Sequence, residues 1–156
     1  RGLGETVIGL SYGPWMVLGS LQLHTHRFSW GALLASLVPG LLIMSLATVN
    51  NIPDFHQDRL VGKKNLVVRL GRKNGRYLYL CLSALGLLII PAGIVAGVFP
   101  KLTILAAVAG LPLWAMSLWS GRDTWDTPRL FVPAVRGIVQ CYALATAVFA
   151  ITVALG

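Results

Sequence analysis

Five long apolar runs divide the chain, and short polar stretches separate them. The runs cover residues 6–23, 30–52, 77–98, 102–120 and 133–155. Each is close to the length of about 20 mostly apolar residues that crosses the hydrocarbon core of a bilayer as a helix. The pattern predicts an all-α fold, a polytopic transmembrane helical bundle with about five spanning helices, in a single domain over residues 1–156.

Proline and glycine refine this prediction. Only Phe99-Pro100-Lys101 separates the third run from the fourth, so these two are expected to form a helical hairpin. Pro39-Gly40 lies inside the second run, and Pro91 and Pro112 lie inside the third and fourth. Prolines within helices are a common cause of kinks, so a kink or an unwound point is expected at each position.

Composition agrees with a membrane protein. The chain is 56% hydrophobic and 12% charged, against about 25% charged residues in soluble domains. If the runs alternate in direction, eleven of the thirteen Lys and Arg residues lie on one side, and only Arg27 and Lys101 lie on the other. The positive-inside rule therefore places residues 54–76 on the cytoplasmic side of the cell inner or plasma membrane. The same asymmetry explains the net charge of +8 without a nucleic-acid partner.

The polar stretch after the second run contains the candidate chemistry. The chain has five carboxylates, and Asp54 and Asp58 lie here, four residues apart. If the second helix continues for two turns beyond Ile52, Asn51, Asp54 and Asp58 share one helix face. Their oxygens suit Mg²⁺, which binds one or two carboxylates together with substrate phosphates.

Basic residues follow immediately. Lys63, Lys64 and Arg69 could hold phosphate oxygens, Arg through a bidentate fork and Lys as a point charge. Together with the carboxylates they describe a site in which a metal and cations bind a diphosphate. The alternative is a positively charged loop whose two aspartates pair with neighbouring lysines, and the spacing alone leaves both interpretations open.

The motif as a whole resembles a known family. Asn-x-x-Asp-x-x-x-Asp-Arg-x-x-Gly-Lys-Lys, starting at Asn51, is followed by Leu-Val-Val-Arg-Leu-Gly, starting at Leu66. This pattern is similar to the second aspartate-rich motif of the UbiA superfamily of membrane prenyltransferases, in the branch that acts on 1,4-dihydroxy-2-naphthoate in menaquinone synthesis. The segments starting at Gly2, Tyr12 and Val17 and the position of Arg136 also resemble that branch.

The resemblance implies an intramembrane enzyme of nine helices. Such an enzyme transfers a prenyl group from a polyprenyl diphosphate to an aromatic acceptor within the lipid bilayer and releases diphosphate. By position, Asp54 and Asp58 would be the catalytic carboxylates that bind Mg²⁺. Asn51 would be an adjoining polar ligand, and Lys63 and Arg69, with Lys64, would contact the diphosphate.

The chain also departs from the family. The first aspartate-rich motif, Asn-Asp-x-x-Asp-x-x-x-Asp, is absent, and Asp123 and Asp126 in a polar loop do not replace it. The simplest interpretation is the C-terminal half of a longer enzyme, incomplete by itself. Roughly 130 to 150 further residues would then precede it, enough for about four more spans. The alternative is a non-catalytic membrane subunit of a larger complex.

Two positions within the motif weaken the assignment of the acceptor. Pro53 stands where the naphthoate branch often has Arg, and Asn65 where it often has Thr. Other aromatic acceptors, namely 4-hydroxybenzoate, homogentisate or a chlorophyllide, therefore remain alternatives.

Overall fold

The computed structural model describes residues 2–156, so Arg1, which the charge count includes, lies outside the described residues. The described part of the chain is helical and contains no strand, which confirms the all-α prediction. Its helices are α1 (Gly4–Leu10), α2 (Met16–Thr25), α3 (Trp30–Asn50), α4 (Phe55–Leu60), α5 (Leu66–Leu70), α6 (Arg72–Val95), α7 (Ile104–Ser120) and α8 (Pro128–Leu155). A π-helical stretch, Ser11–Trp15, joins α1 to α2, and a 3-10 turn, Lys101–Thr103, precedes α7.

Four helices are long and apolar enough to cross a membrane: Trp30–Asn50, Arg72–Val95, Lys101–Ser120 and Pro128–Leu155. The chain is thus an integral membrane protein with four continuous candidate spans instead of the five predicted. The first predicted span is the difference, because its helix is interrupted at Gly13, with φ −101° and ψ −105°. The next residue is Pro14, which has no N–H to donate to the helix.

The interrupted segment nevertheless packs antiparallel to α3. A Cβ on Gly13 would stand 2.7 Å from Gly40 Cα and 2.8 Å from the Ser36 carbonyl oxygen, so the two backbones touch there. Glycine permits this close approach because it has no side chain. Further along, Glu5 reaches Asn51 just past the end of α3. The packing therefore places the start of α1 beside the polar segment that follows α3.

A kink or an unwound point was predicted at each proline within the longer helices, and the unwound point is not observed. Helices α3, α6 and α7 run continuously through Pro39, Pro91 and Pro112. The expected unwound point at Pro39-Gly40 is therefore absent, and the interruption lies at Gly13 on the facing segment.

The predicted hairpin between the third and fourth runs is present. Helix α6 ends at Val95, and the backbone N–H groups of Val98 and Phe99 both donate to the Gly93 carbonyl oxygen, at 2.9 and 3.1 Å. Gly97 has φ +70°, a left-handed conformation that glycine adopts readily. The Phe99 ring packs edge-to-face on Phe149 of α8, which fixes the hairpin against the bundle.

Two apolar clusters form the core. One lies between α3, α6, α7 and α8 and includes Leu42, Ile90 and Cys141. The other includes Ile52 and Val67, both fully buried, from the segment between α3 and α6. This second cluster anchors the polar segment at two points, and most of the residues between these points lie at the surface, apart from the buried Asp58 and Asn65.

Candidate functional site

The chain turns after α3 and does not continue as the same helix. The Asn51 N–H donates to the Thr48 carbonyl oxygen at 3.2 Å, and the Phe55 N–H donates to the Ile52 carbonyl oxygen at 3.4 Å. In each bond the donor lies three residues after the acceptor, as in a tight turn. Helix α4 then begins at Phe55. Pro53 stands within the turn and lacks the N–H that would extend the α3 ladder.

The predicted common helix face is therefore wrong. Asn51 lies just beyond α3, Asp54 lies at the end of the turn, and Asp58 lies in the short helix α4. Asp54 and Asp58 remain one helical turn apart, since the Asp58 N–H donates to the Asp54 carbonyl oxygen at 2.9 Å. Asn51 belongs to a different contact, with Glu5.

Asp58 organises the segment that follows it. Its side chain is 11% exposed, and its two oxygens lie 3.1 and 3.0 Å from Lys63 Nζ. Asn65 Nδ2 donates to Asp58 Oδ2 at 2.6 Å, while Asn65 Oδ1 accepts from the Val68 N–H and caps α5. The pairing of an aspartate with a neighbouring lysine, one of the two interpretations of the motif, is thus present at Asp58.

The remaining predicted residues are at the surface. Asp54, Lys64 and Arg69 are exposed, and within residues 2–156 no hydrogen bond or ion pair involves their side chains. Arg69 leans towards the N-terminal residues, with its Cδ 2.9 Å from where a Cβ on Gly2 would stand. Within the described part of the chain, no partner therefore occupies the Asp54 carboxylate or these two cations.

The sequence-based prediction missed Glu5 as part of this site. Glu5 is 2% exposed, and its Oε1 accepts from Asn51 Nδ2 at 2.7 Å and from the Leu66 N–H at 3.1 Å. Its Oε2 is buried without a hydrogen-bond partner among the described residues. A signal was available, since ionisable residues within membrane segments are usually functional and Glu5 stands directly before the first apolar run.

An open cavity of about 450 Å³ adjoins these contacts. Its polar wall includes Glu5, Asn51, Lys63 and Asn65. Its apolar wall follows α1 and α3 towards the membrane interior and contains Ile8, Tyr12, Ile43, Leu46 and Ala47. The cavity can therefore accommodate an amphipathic molecule with an anionic head and an apolar body.

The donor set suits a hard divalent cation that is shared with a phosphate ligand. Asp54 offers a free carboxylate, and Asp58 offers a second one that Lys63 and Asn65 partly occupy. Among residues 2–156 no three His, Cys, Asp or Glu side chains converge on a point that could hold a metal. One or two carboxylates completed by phosphate oxygens and water is the usual arrangement for Mg²⁺, and the residues present fit it.

The second carboxylate pair is separate from this site. Asp123 and Asp126 are exposed in the loop between α7 and α8. Arg72 Nη1 donates to the Asp126 carbonyl oxygen at 2.6 Å, and Arg76 Nη1 donates to the Arg122 carbonyl oxygen at 2.7 Å. These bonds use backbone oxygens to hold the loop beside the start of α6, and the carboxylates stay in solvent.

Comparison with known proteins identifies a family whose sequences match this chain. Residues 1–134 match the UbiA prenyltransferase family. The chain is 37% identical over 81 residues to the 1,4-dihydroxy-2-naphthoate octaprenyltransferase of Escherichia coli. The aligned region covers 52% of this chain and 26% of that protein. It is 36% identical over 121 residues to the 2-carboxy-1,4-naphthoquinone phytyltransferase of Synechocystis, which covers 75% of this chain and 38% of that protein.

A 1,4-dihydroxy-2-naphthoate octaprenyltransferase of Mycobacterium tuberculosis is 35% identical over 78 residues, which covers 50% of this chain and 27% of that protein. In these comparisons the chain spans between about a quarter and two fifths of the length of its relatives. No solved structure matches it significantly.

Proposed function

Because the chain belongs to the UbiA prenyltransferase family, we propose that it forms the diphosphate-binding part of a membrane prenyltransferase. The reaction is transfer of a prenyl group from a polyprenyl diphosphate to an aromatic acceptor in quinone biosynthesis. The acceptor is 1,4-dihydroxy-2-naphthoate, since relatives from two bacteria carry that compound in their names.

The observation that carries this proposal is a segment with two carboxylates, Asp54 and Asp58, whose Lys63 also lines an amphipathic cavity. A free carboxylate, Asp54, stands one helical turn from Asp58, and Lys63 lines the cavity while paired with Asp58. Next to them the cavity wall becomes apolar along Ile8 and Tyr12. A polyprenyl diphosphate has the same division, with an anionic head and a long hydrocarbon tail.

Each side chain then has a part in the reaction. The Lys63 side chain is 52% exposed, so its ammonium can contact a phosphate oxygen while Asp58 holds it in place. Lys64 and Arg69 add positive charge on the same segment. As the bond between the prenyl carbon and the diphosphate oxygen breaks, its electron pair goes to the diphosphate, and these cations stabilise the growing negative charge.

Mg²⁺ bound by Asp54 and Asp58 would supply further neutralisation of the leaving diphosphate. The apolar wall beside the allylic cation favours attack by the acceptor ring over attack by water. The attacked ring carbon then loses its own substituent, a proton or a carboxylate released as carbon dioxide, which restores the aromatic ring. Asn51 is a polar neighbour of this site through Glu5. Residues 54–76 face the cytoplasm, because seven of the thirteen Lys and Arg residues lie there.

Substitution of the carboxylates in the full-length protein tests the proposal. Asp54→Asn should lower transfer of a radiolabelled prenyl group by at least about a hundredfold, the loss expected when charge stabilisation is removed from a transition state. Since no described contact of the Asp54 side chain is lost, its folded amount should stay unchanged. Asp58→Asn should also abolish transfer, but it additionally removes the pair with Lys63.

Asp123→Asn is the matched control, because Asp123 is an exposed aspartate in the other polar loop, and it should transfer normally. Unchanged transfer in both the Asp54 and Asp58 variants would refute the proposal.

A panel of aromatic acceptors, including 4-hydroxybenzoate and homogentisate, identifies the substrate. Failure of the intact protein with every acceptor, together with stoichiometric co-isolation with a complex, would support a non-catalytic subunit instead.

A further inference from the structure

Glu5 connects three separate pieces of the protein. It belongs to α1, it accepts from the Asn51 side chain just past α3, and it accepts from the backbone N–H of Leu66 at the start of α5. The two bonds span 46 and 61 residues of sequence. Glu5 is therefore a tertiary contact between the first membrane segment and both ends of the Asn51–Leu66 segment.

Few contacts hold the middle of the segment, so its path depends on how its two ends are fixed. Leu60 and Val61 are 86% and 78% exposed, and Gly62 has a positive φ of 73°. The apolar anchors are at the two ends, at Ile52 and Val67. Between them Asp58 bonds Lys63 and Asn65, and Glu5 adds a bond beside each anchor, to Asn51 and to the Leu66 N–H.

Glu5 has two properties that could matter here, its negative charge and its ability to accept hydrogen bonds. Both donors converge on Oε1, and Oε2 has no partner in the described structure. Burial of a carboxylate is unfavourable unless its hydrogen bonds compensate. A glutamine in the same place would keep an oxygen for both donors and lose only the charge, so charge and hydrogen bonding can be separated by one substitution.

We propose that Glu5 is a positioning residue for the diphosphate site: by bonding Asn51 and the Leu66 N–H, it holds the segment so that Lys63 faces the cavity. The inference rests on the proposed function. Although Glu5 lines the cavity, the role proposed here acts through Asn51 and through the backbone N–H of Leu66.

The test uses Glu5→Ala and Glu5→Gln in the full-length protein. Glu5→Ala should raise the KM for the prenyl diphosphate about tenfold, since a hydrogen bond to a charged group is worth roughly that factor. The KM for the aromatic acceptor should stay within about twofold of the wild-type value. Glu5→Gln should restore the diphosphate KM, because its amide oxygen serves both donors. Asp123→Ala, which also removes one carboxylate, should leave both values unchanged.

A second readout does not depend on turnover. The Leu66 amide should exchange with deuterium faster in Glu5→Ala than in the wild-type protein, and at the wild-type rate in Glu5→Gln. Binding of radiolabelled inorganic diphosphate should weaken in parallel with the rise in KM. A merely structural role would change the amount of folded protein and leave the KM of that fraction unaltered.

The outcomes distinguish this proposal from the assigned reaction. A Glu5→Ala enzyme with wild-type KM for the diphosphate overturns the positioning role, even where Asp54→Asn is inactive. A Glu5→Gln enzyme as defective as Glu5→Ala also overturns it, since the charge would then be the required property. If the wild-type protein transfers no prenyl group at all, the proposed function is refuted. The role of Glu5 is then still decided by two measurements, binding of radiolabelled diphosphate and deuterium exchange of the Leu66 amide.

Discussion

The contact between Gly13 and Gly40 gives a quantitative test of the packing that assembles the site. Substitution Gly13→Ala places a Cβ 2.7 Å from Gly40 Cα and 2.8 Å from the Ser36 carbonyl oxygen. Ordinary contact begins at 3.4 Å, so the two backbones must separate by roughly 0.7 Å. Both obstacles are backbone atoms, which cannot rotate away as a side chain can.

Overpacking of this kind costs about 1–3 kcal/mol. In a domain of 150–250 residues each kcal/mol lowers the melting temperature by about 2–4 °C. The full-length protein is larger, so the decrease per kcal/mol is smaller and a total decrease of a few degrees is expected. The separation should also lengthen the bond between Glu5 and Asn51, 2.7 Å in the native packing. The prenyl diphosphate KM should therefore rise in the same variant.

The assay is thermal unfolding of the full-length protein in detergent, followed by kinetics on the folded fraction. Gly19→Ala is the matched control, because it lies in α2 of the same segment and a Cβ there meets nothing within 4 Å. It should be neutral or slightly stabilising, since alanine favours helix over glycine by about 1 kcal/mol. Equal melting temperatures for Gly13→Ala and Gly19→Ala would refute the close-packing argument.

Two further predictions concern the polar segment. Asn65→Ala removes the cap of α5 and the 2.6 Å bond to Asp58, so amide exchange in α5 should accelerate by about tenfold, as expected for loss of roughly 1–2 kcal/mol. Gln57→Ala is the control, because Gln57 is exposed and its side chain has no hydrogen-bond partner among the described residues. It should leave exchange in α5 unchanged, and an equal effect of both substitutions would contradict the capping role. Thiol labelling in cells tests the predicted orientation in the membrane. Lys64→Cys should react with a thiol reagent only from the cytoplasmic side, and Lys101→Cys only from the opposite side. Labelling of both cysteines from one side would contradict the orientation.

The alternation of apolar and polar runs predicted most of the fold. Helices α3, α6, α7 and α8 all fall on predicted spans, and the α6–α7 hairpin forms where only three residues separated two runs. Such predictions succeed because the transfer of a helix into a bilayer depends on the summed hydropathy of about 20 consecutive residues. That sum requires no knowledge of neighbouring helices.

The site was predictable only in part. The sequence left two interpretations open, a metal and diphosphate site or a loop in which the aspartates pair with lysines. In the structure Lys63 pairs with Asp58 and also lines the cavity. The assumed continuation of α3 was wrong, because Pro53 breaks the helix ladder within the motif itself. A proline can be accommodated in a helix, as it is at Pro39, so sequence alone did not distinguish the two cases.

The sequence by itself determined that this is an all-α integral membrane protein of the UbiA prenyltransferase family. It also showed that two of the five carboxylates and seven of the thirteen Lys and Arg residues lie within residues 54–76. The tertiary structure decided that the first membrane segment is interrupted at Gly13 and that Glu5 joins Asn51 and Leu66. The physical reason is that hydropathy is a local property of the chain. Contacts such as those of Gly13 with Gly40 and of Glu5 with Leu66 depend on how two distant helices are rotated and how closely their backbones approach.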